Sequence, residues 1–243
     1  MKHFTHELEH IEQWGHLRKD LFRNEEPKIK LIGLTMPTEE MISQGITTET
    51  LPAYTARQSH ESEGTYEDDL RLNKKLISWG HQTCLEAVQF VYYVTGVSKS
   101  LAGQWTRHRI GIGWTFRSTR YVKANKNTFV YPALEYMDSE EKVKAVYQAY
   151  EREHRHAMDV YEELQKLGVR NQELRRLMPV GWSTAAYVYV NARSLRHFFG
   201  LRLEKSAEWE IRRLAYLMFN DVMSIAPSLF EDLTEDDLVE ERE

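Results

Sequence analysis

Cysteine is nearly absent. Cys84 is the only one in 243 residues, which excludes an internal disulfide and any Cys-rich metal site, and matches usage in a reducing compartment. Within HQTCLE, Cys84 has no electropositive neighbour to lower its pKa, so it reads as a small buried hydrophobe, not a nucleophile. Long apolar runs are missing too, none approaching the roughly 18 residues that a membrane span needs. Residues 1–25 mix charges throughout and give no apolar stretch ahead of a small-residue cleavage site. The expectation is a cytoplasmic chain without a membrane partner. No Gly-x-Gly-x-x-Gly follows a strand-like segment, which leaves a Rossmann-type dinucleotide site unsupported.

What is present is enough to bury a full core, with 42% hydrophobic and 12% aromatic residues. The net charge of −5 is unevenly placed. The tail EDLTEDDLVEERE (231–243) holds eight acids against one arginine, so residues 1–230 carry a small positive excess. Such a tail is expected to be a solvated end outside any site. The segment RHRIGIGWTFRSTR (107–120) is the reverse, with Arg107, Arg109, Arg117 and Arg120 and no acid, and it calls for an anionic partner.

Periodicity and punctuation predict the elements. KIKLIGLT (28–35) and VQFVYYVTG (88–96) read as strands, rich in β-branched and aromatic residues. Residues 39–63 read as broken and polar, 70–80 as a helix stopped by Gly80, and 97–108 as a helix delivering the arginine block at its C-terminal end. Residues 138–168 read as the clearest helix, opened by a capping box Asp138-x-x-Glu141 and closed at Gly168. Further helices are expected over 171–177, 183–199 and 206–225, with Gly200 between Arg193 and Arg202 marking a helix end. With no repeat or low-complexity linker, the expected fold is one α+β domain over 26–230, a small central sheet flanked by several helices. A helical extension over 1–25 precedes it, centred on 5–22, and the acidic tail over 231–243 follows.

Two clusters carry chemistry. Gln104-x-x-Arg107-His108-Arg109, followed by Ser118-x-Arg120, places adjacent cations about 100° apart on a helix, where each can address a different part of a polyanion. A nucleic-acid-binding module is open here as well, since Trp105, Trp114 and Phe116 interleave with the arginines and could stack bases. Asn191-x-Arg193 and His197, then Arg202, stand in apolar surroundings where polar groups are costly unless paired with acids such as Glu86 or Glu204, or bonded to a ligand. His81 and Arg175 are weaker signals alone.

QWTRHRIGIGWTFRSTRY (104–121) resembles the signature of flavin-dependent thymidylate synthases, an Arg-His-Arg followed by a spacer, then Ser and Arg. TARQSH (55–60), GHQTCLEAVQF (80–90), GVSKSLAGQ (96–104), LRRLMP (174–179), VNARSLRHFFGLRL (190–203) and AEWEIR (207–212) follow the family's order. Several separated motifs in order make chance improbable, whereas one Arg-His-Arg would be worthless.

The resemblance implies FAD held by Thr83, Arg107, His108, Arg109, Asn191, Arg193 and His197, the last at a position where the family often has Asn. It implies dUMP held by Gln104, Arg107, Ser118, Thr119, Arg120, Arg175 and Arg202. Arg202 is the implied catalytic residue, stabilising charge on the pyrimidine, and His81 lies by the flavin and the folate path. The implied reaction methylates dUMP to dTMP with 5,10-methylenetetrahydrofolate as one-carbon donor and NADPH as reductant, in a homotetramer with FAD at subunit interfaces, without metal or nucleic acid. A flavoenzyme of the same fold acting on another pyrimidine nucleotide is the enzymatic alternative. Two departures stand out. Eight residues, Ile110 to Arg117, fill a spacer that usually has seven, and Phe116 stands where many members have a glutamate.

Overall fold

A computed structural model describes residues 13–19, 21, 24–122 and 128–233. In chain order the elements are α1 (Gly15–Lys19), β1 (Lys28–Leu34), α2 (Glu39–Ser43), α3 (Leu51–Arg57), α4 (Tyr66–Ser78), β2 (Gln89–Ser98), α5 (Lys99–Trp105), β3 (Ile112–Phe116), α6 (Glu140–Lys166), α7 (Asn171–Leu174), β4 (Ser183–Asn191), α8 (Ala192–Arg202) and α9 (Trp209–Ile225). The strands form one antiparallel sheet in the order β1-β2-β4-β3, the α+β architecture expected.

The sheet buries one face. Phe90, Tyr92 and Val94 on β2 and Ala186, Val188 and Val190 on β4 are buried with Phe198 and Phe199 of α8 and Leu214 and Met218 of α9. Alternate residues Tyr187 and Tyr189 are exposed on the other face, the period-2 signature of a strand covered on one side. A second apolar cluster forms where Tyr147, Met158 and Tyr161 of α6 meet Trp14, Phe129, Tyr131 and Trp182.

Several expectations are corrected. Residues 183–191 form an inner strand of the sheet, where a helix was expected. Its Tyr-Val-Tyr-Val run alternates strictly, while the small Ser-Thr-Ala-Ala start and the true helix that follows disguise the change of period. The stretch 39–63 contains α2 and α3. The helix expected from 70 begins at Tyr66, opened by a capping box of Thr65 and Asp68. In α6 the cap is Ser139, whose side chain accepts from Lys142 N–H, while Asp138 pairs with Lys142 Nζ at 3.1 Å. Helix α6 runs unbroken through its charged segment EREHRH (151–156), whose His154 falls on the buried stripe. Helix α8 runs through Gly200 to Arg202. Of the N-terminal helix, Gly15–Lys19 is observed and residues 1–12 lie outside the described residues, as do 234–243 of the tail.

Candidate functional site

The site is built where β4 passes into α8. Asn191 is extended and its Oδ1 accepts from Ser194 N–H at 2.8 Å, satisfying one of the free donors at the helix start. Two cluster residues follow on one face of the helix, with Arg193 and His197 both exposed. Arg202 is at its far end.

The Arg-His-Arg block arrives at the same place. After α5 ends at Trp105, the N–H groups of Arg107 and His108 bond back to the carbonyls of Gln104 and Trp105 at 3.2 and 3.1 Å. Gly111 has φ +66°, its carbonyl accepts from Asn191 N–H at 3.3 Å, and a Cβ on it would fall 2.1 Å from Ser194 Oγ. Only glycine allows the loop this close to the start of α8.

One bond then joins the two clusters. Arg202 Nε donates to His108 Nε2 at 3.0 Å. His108 is 8% exposed, with its ring edge-on to Phe198 at 5.2 Å. Burial, followed by the charges of Arg202 and His197, holds its pKa down at about 4. Near neutral pH the imidazole is therefore uncharged, with Nε2 as acceptor and the proton assigned to Nδ1 by that bond. Arg193 Nη1 lies 2.6 Å from Glu86 Oε1, each side chain about half exposed at 49% and 47%. Such a pair contributes little, and another anion can displace it. Glu86 and the exposed Thr83 belong to a 3-10 turn, Gln82–Ala87, that packs on α8. The exposed His81 precedes this turn, its ring 6.1 Å from that of Trp79. The Cys84 thiol donates to His81 O at 3.4 Å and burial pushes its pKa up, the opposite of an activated thiolate.

Strand β3 carries the chain away from this end. Ile112 pairs with Val190 and Phe116 with Ala186, after which Arg117 N–H bonds Ala185 O at 2.9 Å. Ser118, Thr119 and Arg120 therefore lie toward the other end of β4, displaced by about 17 Å for five strand residues. There Arg120 lines a cleft with the 168–172 turn, and Arg175 Nε donates to Gln172 O in that turn at 3.1 Å. The expected residues thus fall into two groups within one chain. Thr83, Arg107, His108, Arg109, Asn191, Arg193 and His197 lie toward the start of α8, with Arg202 at its far end joined to them through His108 and Gln104 one turn before Arg107. Ser118, Thr119, Arg120 and Arg175 gather toward the opposite end of β4.

The aromatic residues interleaved with the arginines are structural. Trp105 is 1% exposed and makes edge contacts with Trp114 at 6.3 Å and Phe116 at 6.5 Å. Trp114 and Phe116 are partly buried against the core, Phe116 at the position where a glutamate is common. The motifs alone reveal neither the role of Gly111 nor the His108–Arg202 bond. The IGIG repeat inside the spacer was the signal for the glycine, and nothing local signals a bond across 94 residues. An apolar cavity of about 540 Å³ beside Phe129, Tyr150 and Trp209 holds none of the site residues. Among the described residues no helix is long and apolar enough to cross a membrane, and no His, Cys, Asp and Glu cluster has a metal-binding arrangement.

A family model described as thymidylate synthase complementing protein matches residues 40–228. The flavin-dependent thymidylate synthase of Pyrococcus abyssi is 32% identical over 183 residues, 73% of this chain and 72% of that protein. That of Geobacter sulfurreducens is 35% identical over 158 residues, 65% and 66% of the two chains. That of Sulfolobus acidocaldarius is 30% identical over 207 residues, 84% and 75% of the two.

Proposed function

The chain belongs to the flavin-dependent thymidylate synthase family, and from that premise we propose that it methylates dUMP to dTMP with FAD, 5,10-methylenetetrahydrofolate and NADPH. The observation that carries this reading is the Arg202–His108 bond, because it links the implied substrate residue to the implied cofactor residues.

The residues present fit a flavin nucleotide. Arg107 and Arg109 are exposed cations beside a close approach at Gly111 that a Cβ would fill, and Arg193 is held only by an exchangeable exposed pair. Bound FAD supplies the hydride. The chain's own groups bind and polarise. Arg107, Arg109 and Arg193 hold phosphate charge, with Thr83, Asn191 and His197 beside them. Arg202 directs N–H donors at the pyrimidine carbonyls, where negative charge grows as the ring is activated at C5. Neutral His108 anchors the Arg202 guanidinium through its Nε. No enzyme thiol is needed, which agrees with the raised pKa of Cys84.

The second group, Ser118, Thr119, Arg120 and Arg175, holds the other end of the nucleotide. Because one chain separates it from Arg202, the complete site draws on more than one copy, in keeping with a homotetramer carrying FAD at its subunit interfaces. The domain spans 26–230, and the enzyme works in the cytoplasm.

The test is dTMP formation by the purified, flavin-loaded protein from dUMP, methylenetetrahydrofolate and NADPH, each omitted in turn. Product should require all three. Folded, yellow protein that forms no dTMP but modifies a different pyrimidine nucleotide would replace this reading with the neighbouring one.

A further inference from the structure

The turn between α6 and α7 and the short helix after it carry arginines at 170, 175 and 176, and the acid nearby is unequally shared. Arg176 pairs with Glu173 at 3.4 Å. Two exposed arginines elsewhere, Arg71 and Arg155, find an acid about one helical turn away, Asp68 and Glu151, both at 2.6 Å. Arg170 has no such partner among the described residues. Glu173, its acid three positions on, faces Arg176, and Arg170 precedes α7 without any side-chain capping bond. Arg120 is brought alongside by β3. No carboxylate pairs with it among the described residues either, and its guanidinium lies 5.3 Å from the centre of the Tyr121 ring.

Arg120 and Arg170 line one cleft of about 480 Å³, whose other side chains include Tyr121, Gln165, Asn171 and Gln172. No acid lines it. Two guanidinium groups at one concave surface repel each other, and the described residues supply no compensating charge there. A dianion with several acceptor oxygens relieves that repulsion and matches both planar forks, while the amide side chains add neutral donors.

We infer that Arg170, which lies outside the family motifs, joins Arg120 in binding the 5′-phosphate of the nucleotide substrate. The identity of the nucleotide rests on the proposed function, whereas the anion chemistry rests on the cleft itself. A folate carboxylate is the other anion of the reaction that could occupy it, and the measurements separate the two.

FAD-loaded wild type, Arg170→Ala and Arg170→Lys are titrated calorimetrically with dUMP, deoxyuridine and inorganic phosphate at fixed ionic strength, and the KM for the folate is measured alongside. Arg170→Ala should weaken dUMP about ten-fold, the worth of one exposed charge-assisted contact. Deoxyuridine affinity, folate KM and flavin content should not change, and Arg170→Lys should recover part of the loss. Unchanged dUMP affinity, an equal loss for deoxyuridine, or a rise in folate KM alone overturns the inference. If the wild type neither binds dUMP nor forms dTMP, the proposed reaction fails, and the phosphate titration decides the site by itself. Phosphate binding lost in Arg170→Ala then upholds it, and equal binding by both proteins rejects it.

Discussion

Arg193 and Arg202 leave the same helix nine residues apart, which is two and a half turns, so they project from opposite faces about 13 Å apart along the axis. They cannot serve the same ligand group. Arg193 is half-exposed and, among the described residues, paired with Glu86, so its proposed work is cofactor retention. Arg202 is fixed by His108, a buried neutral acceptor, so its proposed work is to meet charge that develops only in the transition state. Arg202→Ala should stay yellow and lose about 10²–10³ in turnover. Lysine there should rescue poorly, because it cannot both bond His108 and present a planar fork. Arg193→Ala should lose flavin first and regain activity in excess FAD. Bound flavin and turnover, measured on both alanine variants, decide it: a colourless Arg202→Ala beside a flavin-saturated Arg193→Ala would reverse the roles.

Among the elements, the junction of β2 and α5 is clamped to α9 by Glu210. Its two carboxylate oxygens accept from Ser98 N–H and Ser98 Oγ–H, each at 2.6 Å, while Ser98 also caps α5. Burial raises the Glu210 pKa from 4.5 to about 7, against the lowering effect of the Ser98 bonds and with help from the Glu208 charge. The folded state therefore keeps a proton that the unfolded chain releases near pH 4.5. Stability is fully present below that pH and declines as the pH rises through about 7, by on the order of 3 kcal/mol. Glu210→Gln keeps an acceptor for Ser98 and cannot ionise, so its melting temperature should be flat across that window where the wild type falls. Parallel curves from pH 5 to 8 would place the titration elsewhere. None of this is legible in AEWEIR, because desolvation depends on what packs over a residue. Elements whose period holds over most of their length, β1, β2 and α6, were legible. Strand β4 was not, since its alternation covers only five residues before α8 begins with the same apolar vocabulary. The site divides in the same way. Motif spacing pointed to the residues, but strand β3 inside the spacer separates Ser118 and Arg120 from Arg202.

At the scale of the whole molecule, segment 234–243 holds six acids and one arginine, which equals the entire net charge of −5. The rest of the chain is neutral in sum. The segment's charge has the same sign as the dianionic nucleotide and the folate carboxylates and so repels them, and salt screens such repulsion beyond about 8 Å at physiological ionic strength. The residues just before this segment belong to the fold. Asp232 makes a two-pronged pair with the buried Arg196, at 2.5 and 2.6 Å, and Glu231 lies 2.6 Å from Lys74 Nζ. Removing 234–243 should therefore leave the melting temperature unchanged and the KM for dUMP unchanged or lower, the more so at low salt. Removing 231–243 strips Arg196, 7% exposed, of its carboxylate. Leaving that cation buried with only the Leu229 carbonyl should cost about 1–3 kcal/mol, at the low end for a buried pair because Asp232 itself is half-exposed. Two truncations that melt alike, or a loss of FAD or dUMP affinity in the shorter cut, would show that the acidic segment belongs to the working enzyme.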